Sequence, residues 1–153
     1  LQMGGTAQST SFDEEQEIFA PEDTGTEQVI TVEQFVRNPN LYGYFTSFYN
    51  VTDAFKIDLT GTYTGSMIVP RIVGANGSPD LLDSDPFFDV NIRASHHFDI
   101  SEDFHLELSG GIRNVFNSYQ TDFDSGPQRD STFIYGPAAP RTLFISVKIG
   151  NLH

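Results

Sequence analysis

Residues able to do chemistry are few in this sequence, and their spacing argues against catalysis. His96 and His97 are adjacent in an alternating run. Their side chains therefore leave a strand on opposite faces and cannot chelate one ion together. One is expected at an interface and the other on a polar face. Asp122-Phe123-Asp124-Ser125-Gly126 begins like a calcium loop, but the later ligands and flanking helices of an EF-hand are missing, so no metal site is expected. Asp58 and Glu107 form no dyad with a nucleophile or base, and Gly110-Gly111 lies inside an alternating run, where small residues ease packing or curvature. With no cysteine, disulfides, zinc–thiolate centres and thiol catalysis are excluded. The expectation is a chain with no catalytic residue and no cofactor, not an enzyme. A net charge of -13 with only 8 Lys and Arg leaves no basic footprint for nucleic acid. It leaves open calcium, cationic ligands or a basic protein, beside the plainer role of keeping exposed loops soluble.

The elements that must position these residues are strands. In residues 54–67, Phe55, Ile57, Leu59, Gly61, Tyr63, Gly65 and Met67 alternate with Lys56, Asp58, Thr60, Thr62, Thr64 and Ser66. Period two puts each set on its own face. Residues 87–100, 104–117 and 141–150 repeat the pattern, 41–51 follow it less regularly, and 1–12 is a weaker sixth candidate. By parity Asp89, Arg93, Glu107 and Arg113 share the polar face, where they would touch an enclosed segment or form a ladder of ion pairs. The connections alternate in length. Thr52-Asp53 and Ser101-Glu102-Asp103 are tight turns, whereas 13–40, 68–86 and 118–139 are read as long polar loops, carrying Asp13, Glu14, Glu15, Glu17, Glu22 and Asp23 among other acidic residues.

Short turns on one end and long loops on the other is the plan of an outer-membrane barrel, whose strands need only about 9–11 residues to cross. Phe55, Phe98 and Phe104 lie beside the tight turns, and Tyr42, Tyr63, Phe88 and Phe116 toward the long loops, as two aromatic interface belts would. A soluble sandwich would also place aromatics in its core, but strand length and loop asymmetry favour the membrane. The sequence begins at Leu1 with no Met or signal peptide, as though cut from something longer.

Asn114-Val115-Phe116-Asn117, then Tyr135-Gly136-Pro137 and Pro140-Arg141-Thr142, bracket the loop 118–139 and open the last alternating run. This end resembles the C-terminal end of a TonB-dependent outer-membrane receptor. There the penultimate strand typically finishes Asn, apolar residue, Phe, Asn or Asp, and a Pro-Arg pair opens the last strand. Arg37-Asn38-Pro39-Asn40-Leu41-Tyr42-Gly43 and Gly61-Thr62-Tyr63-Thr64-Gly65 resemble segments just upstream. The resemblance covers residues 1–153 and implies an all-β fold: an antiparallel transmembrane β-barrel portion, about the last six strands of a 22-stranded barrel. It implies import of a scarce ligand (a siderophore, cobalamin or similar metal complex) across a Gram-negative outer membrane with TonB-derived energy. The implied partners are the rest of the barrel and its plug domain, the TonB complex, outer-membrane lipid and a surface lipoprotein. No plug or TonB box is present in this sequence, and it ends Gly150-Asn151-Leu152-His153 where the family usually ends on an aromatic.

Extracellular loops line the entrance of such receptors, which makes Asp122, Asp124, Arg129, Asp130 and Tyr135 the candidate ligand contacts. A loop that only packs on its neighbours, or folds over the lumen, would read the same way. Rival readings are a SusC-like glycan importer, a self-contained structural or adhesive barrel of about eight strands, and a soluble β-sandwich binding module.

Overall fold

Phe, Ile, Leu, Val or Tyr at most of the alternate positions commits these segments to strands, since only an extended backbone gathers such a set on one side. The structure, a computed structural model, describes residues 1–19, 29–73, 78–101 and 104–150. Among the described residues ten strands follow one another: β1 (Gln2–Ala7), β2 (Ser11–Phe19), β3 (Ile30–Gln34), β4 (Leu41–Asn50), β5 (Phe55–Thr64), β6 (Ile68–Val73), β7 (Ser78–Asp83), β8 (Phe87–Asp99), β9 (His105–Arg113) and β10 (Thr142–Gly150). The chain is all-β and its pairings are antiparallel. Among the described residues no helix is long and apolar enough to cross a membrane, which says nothing about strands.

Six strands form one sheet in the order β1-β4-β5-β8-β9-β10. Among the described residues it is open: the two outer strands, β1 and β10, each have one neighbour. Register fixes its faces. The pairs Leu59↔Ile92 and Ile92↔Ile112 put β5, β8 and β9 in phase, and Leu143↔Ile112 and Phe45↔Gly61 extend the same face to both sides. That face carries Ile57, Leu59, Val90, Ile92, Leu106, Leu108, Ile112 and the four aliphatics of β10. The opposite face carries Lys56, Asp58, Thr60, Asn91, Arg93 and Glu107. Among the described residues no second layer packs on the apolar face: Ile145 is 82% exposed, Leu143, Val147, Ile149, Ile92 and Leu108 are exposed with it, and Val90 alone of the set is buried among its neighbours.

The strand at 104–117 ends earlier than its alternation suggests. Asn114 and Asn117 have positive φ, 51° and 56°, and the ladder stops at Arg113. The weak segment 1–12 divides into β1 and the start of β2. Two of the three expected long loops are themselves structured. β2 pairs with β3, with irregular register, and β6 pairs with β7 residue by residue from Ile68↔Asp83 to Val73↔Ser78. Both were hidden because their alternation is broken, by Pro70 and Pro79 in one hairpin and by the acidic run Asp13 to Glu17 in the other. Asp13, Glu14, Glu15 and Glu17 thus lie in a strand, while Glu22 and Asp23 lie outside the described residues, as do Glu102, Asp103 and residues 151–153.

The first tight turn is as expected, and of the second only Ser101 lies among the described residues. At the first, the Val51 and Thr52 N–H groups donate to the Phe55 carbonyl, and Thr52 Oγ1 accepts from Phe55 N at 3.0 Å. At the second, Ile100 N donates to Phe104 O at 3.0 Å. Both lie on one end of the sheet, and all three long connections lie on the other. At that other end Phe88 stacks on Phe116, centroids 5.5 Å apart, with Tyr63 at 6.4 Å. Tyr42 does not join them: its register partner is Thr64, which puts it on the polar face.

Candidate functional site

The long-connection end is held together by the two asparagines that close β9. Asn114 is 3% exposed. Its Nδ2 donates to the carbonyls of Ser118 (3.2 Å) and Ala139 (3.0 Å), its Oδ1 accepts from Ser118 N (2.8 Å), and its own N–H donates to Asn91 Oδ1 (3.0 Å). Asn117 Oδ1 accepts from Arg141 N at 2.9 Å. Asparagine tolerates the left-handed conformation that both positions require, and its amide both donates and accepts. The side chains therefore tie together the two ends of the 118–139 loop.

Inside the loop Gln120, 1% exposed, does the same job. Its Nε2 donates to Phe133 O at 3.1 Å while Oε1 accepts from Tyr135 N at 3.0 Å. Phe133 (1% exposed), Val69 of β6 and Phe87 of β8 are buried at this end of the sheet. Phe133 and Phe87 both meet the Tyr135 ring, at 5.2 and 5.9 Å. Gly136 sits against Phe87 so closely that an added Cβ would lie 2.3 Å from the ring.

Two arginines join this loop to the other connections. Arg37, with φ 55°, donates from its backbone to Ile68 O (2.7 Å) and from Nη2 to Thr132 O (2.7 Å). Arg71 in β6 hydrogen-bonds Asp124 and stands over the Phe133 ring at 4.8 Å. All three long connections are thereby tied into one cap.

The five candidate ligand contacts are all in this cap, and each is engaged within it. Tyr135 Oη donates to Asp122 Oδ1 at 2.7 Å. Asp124 accepts from Arg71 and, through Oδ2, from Asp130 N at 3.1 Å. Asp130 Oδ1 accepts from Thr132 N and Oγ1 at 2.8 and 2.6 Å. Arg129 is exposed and donates to Gly126 O at 3.3 Å. The calcium-loop likeness thus resolves into separate partners for Asp122 and Asp124. The Arg71 guanidinium, hydrogen-bonded to Asp124, holds that carboxyl below the usual range, with burial acting the other way. The same bond raises Arg71. Burial first, then the hydrogen bond to Asp122, pushes the Tyr135 phenol up to about 12. At neutral pH the cap therefore holds a fixed ion pair and a neutral phenol.

On the polar face an ion-pair ladder crosses three strands and takes up two of the four residues expected in it, Arg93 and Glu107, with Lys56 and Asp58 in place of Asp89 and Arg113. Lys56 lies 3.6 Å from Asp58, Arg93 lies 3.7 Å from the other Asp58 oxygen, and Arg93 also bridges to Glu107. Arg113 instead lies over the Phe144 ring at 5.1 Å. Beside the ladder is a recess of about 500 Å³ lined by Asp58, Asp89, Asn91, Arg93, Arg113 and Phe144 among others. His96 and His97 do diverge: His96 meets Phe98 on the apolar face, ring centroids 4.3 Å apart, and His97 meets His105 on the polar one, 5.0 Å apart.

Sequence reading did not single out Arg71, Gln120 or the grouping of His97 with Asp99 and His105. For the last, the signal was available. His97 and Asp99 are two apart on one strand, and His105 opens the next strand across a tight turn. Comparison with protein-family models, with curated proteins and with solved structures gives no match for this chain.

Proposed function

We propose that this chain is a stretch of transmembrane barrel wall from a TonB-dependent outer-membrane receptor, taking part in uptake of a siderophore, cobalamin or a similar metal complex. The observation that carries the reading is the largely exposed apolar face of the six-stranded sheet, aliphatic on β5, β8, β9 and β10, backed by a face that carries a ladder of ion pairs. A soluble sheet buries such a face against a second layer, and a patch left exposed marks a surface with another apolar partner. Lipid is that partner in a barrel, where outward residues are apolar and inward ones polar. Both edges of the sheet offer unpaired backbone groups, which a larger barrel would satisfy with further strands. The three connected loops on one end supply an extracellular cap, and the asparagine clip supports the family resemblance because it gives Asn114, Asn117 and the Pro140-Arg141 segment a joint structural task.

The test has two parts. The purified chain is expected to aggregate in buffer and to disperse in detergent micelles; a monomer stable without detergent would instead favour the soluble β-sandwich. In the receptor carrying this chain, deleting residues 118–139 is expected to abolish uptake of the labelled metal complex while the protein stays in the membrane. Uptake at the undiminished rate would sink the receptor reading.

A further inference from the structure

We propose that His97, Asp99 and His105 form a binding site for one divalent cation of the zinc class, stapling β8 to β9 beside the tight turn. The three donor atoms already converge. His97 Nε2 and His105 Nδ1 are 3.2 Å apart, His97 Nε2 and Asp99 Oδ1 are 3.2 Å apart, and His105 Nδ1 and Asp99 Oδ1 are 2.6 Å apart. Tetrahedral zinc with bonds of about 2.0–2.1 Å to nitrogen or oxygen requires donors about 3.3 Å apart. Two of the three separations nearly meet that value. The third has to open by about 0.7 Å on that same bond geometry, and Asp99, whose side chain is 75% exposed, is free to swing.

The site is built by the ladder rather than by chance proximity of flexible ends. Asp99 and His105 are register partners, and His97 is two residues from Asp99 on the same face. Both imidazoles are partly buried there. His105 Nδ1–H and His97 Nε2–H can each donate to Asp99 Oδ1, but the two ring nitrogens then face each other at 3.2 Å with no hydrogen bond between them. A cation opposite three lone pairs satisfies all three contacts at once. Glu107, which faces His97 across the ladder, is taken by Arg93, so the fourth position falls to solvent. Two imidazoles and a carboxylate suit Zn²⁺, with Ni²⁺ and Cu²⁺ competing by intrinsic affinity, and disfavour Ca²⁺ or Mg²⁺. The site lies at the opposite end of the sheet from the loop cap and stands on the β8–β9 hairpin alone, whatever the chain's cellular role.

Calorimetric titration of the full chain in detergent with Zn²⁺ is the test, and one equivalent is expected. His97→Ala and His105→Ala should each weaken binding at least tenfold, whereas His96→Ala, on the other face, should leave it unchanged. Co²⁺ in place of Zn²⁺ should give a visible ligand-field band that the same two variants abolish. Circular dichroism checks the strands in every variant. If a histidine variant loses them, Asp99→Asn at the exposed position decides, with at least tenfold weakening supporting the site. No stoichiometric Zn²⁺ binding by the parent chain, or unchanged affinity in Asp99→Asn with strands intact, overturns it.

Discussion

The side-chain oxygen of Asn117 accepts a hydrogen bond from the backbone N–H of Arg141, 2.9 Å away and 24 residues along the chain. Three residues upstream, Asn114 Nδ2 reaches the Ala139 carbonyl at 3.0 Å. The loop therefore enters and leaves through one clip made of two amide side chains. β10 starts beside β9 because the clip delivers it there.

Asn114→Ala should release the loop. It leaves Ser118 N–H and the carbonyls of Ser118 and Ala139 without this partner, and it places alanine at positive φ. The stranded groups are only part-buried, so each costs less than a fully buried one, at about 1–3 kcal/mol, and with the backbone strain the expected loss is about 2–4 kcal/mol. Asn117→Ala strands a single, exposed N–H and also places alanine at positive φ, 56°, so it should cost about 1–2 kcal/mol. Urea midpoints in detergent measure both; equal effects would contradict the central place of Asn114.

Leu59 and Ile92 are register partners in the middle of the apolar face. If lipid covers that face, Leu59→Arg or Ile92→Arg should cost about 2–4 kcal/mol and block assembly, as arginine does at the bilayer midplane. Thr60→Arg, on the polar face, should be tolerated far better. Assembly assays in membranes that find the two faces equally tolerant would remove the membrane reading.

Gly136 touches the Phe87 ring where a Cβ would approach to 2.3 Å. Gly136→Ala should push the loop off β8, at about 1–3 kcal/mol for overpacking. Faster limited proteolysis within 118–139, with the strand signal unchanged, is the expected readout.

The cap should respond to both ends of the pH scale. Asp124 has its folded pKa depressed, chiefly by its hydrogen bond to Arg71. Its contribution is therefore complete above the unfolded value of 3.8 and lost as pH falls through the lower folded value. Tyr135 has its pKa raised from 10.0 to about 12. Its contribution is complete below 10 and fades as pH rises toward 12. Amide hydrogen exchange in the loop should show both limbs. Asp124→Asn should remove the acid limb and Tyr135→Phe the alkaline one; an unchanged profile in either variant would show the loss to arise elsewhere.

By itself the sequence determined the sheet. Period-two alternation needs nothing beyond an extended backbone to sort Leu59 from Thr60 or Ile92 from Arg93, so the strands, their faces and the two tight turns were legible from residue order alone. The hairpins β2–β3 and β6–β7 were not, because prolines and charge runs erase alternation while backbone pairing can still form. Only the tertiary structure decided how the loop residues are used. Asp124 meets Arg71 across 53 positions and His97 meets His105 across a turn, and such pairings depend on register and on connections folding together. No local rule encodes them. The acidic loop residues read as candidate ligand contacts are held by the cap's own partners, while His97, which cannot chelate together with His96, meets a second histidine on the neighbouring strand.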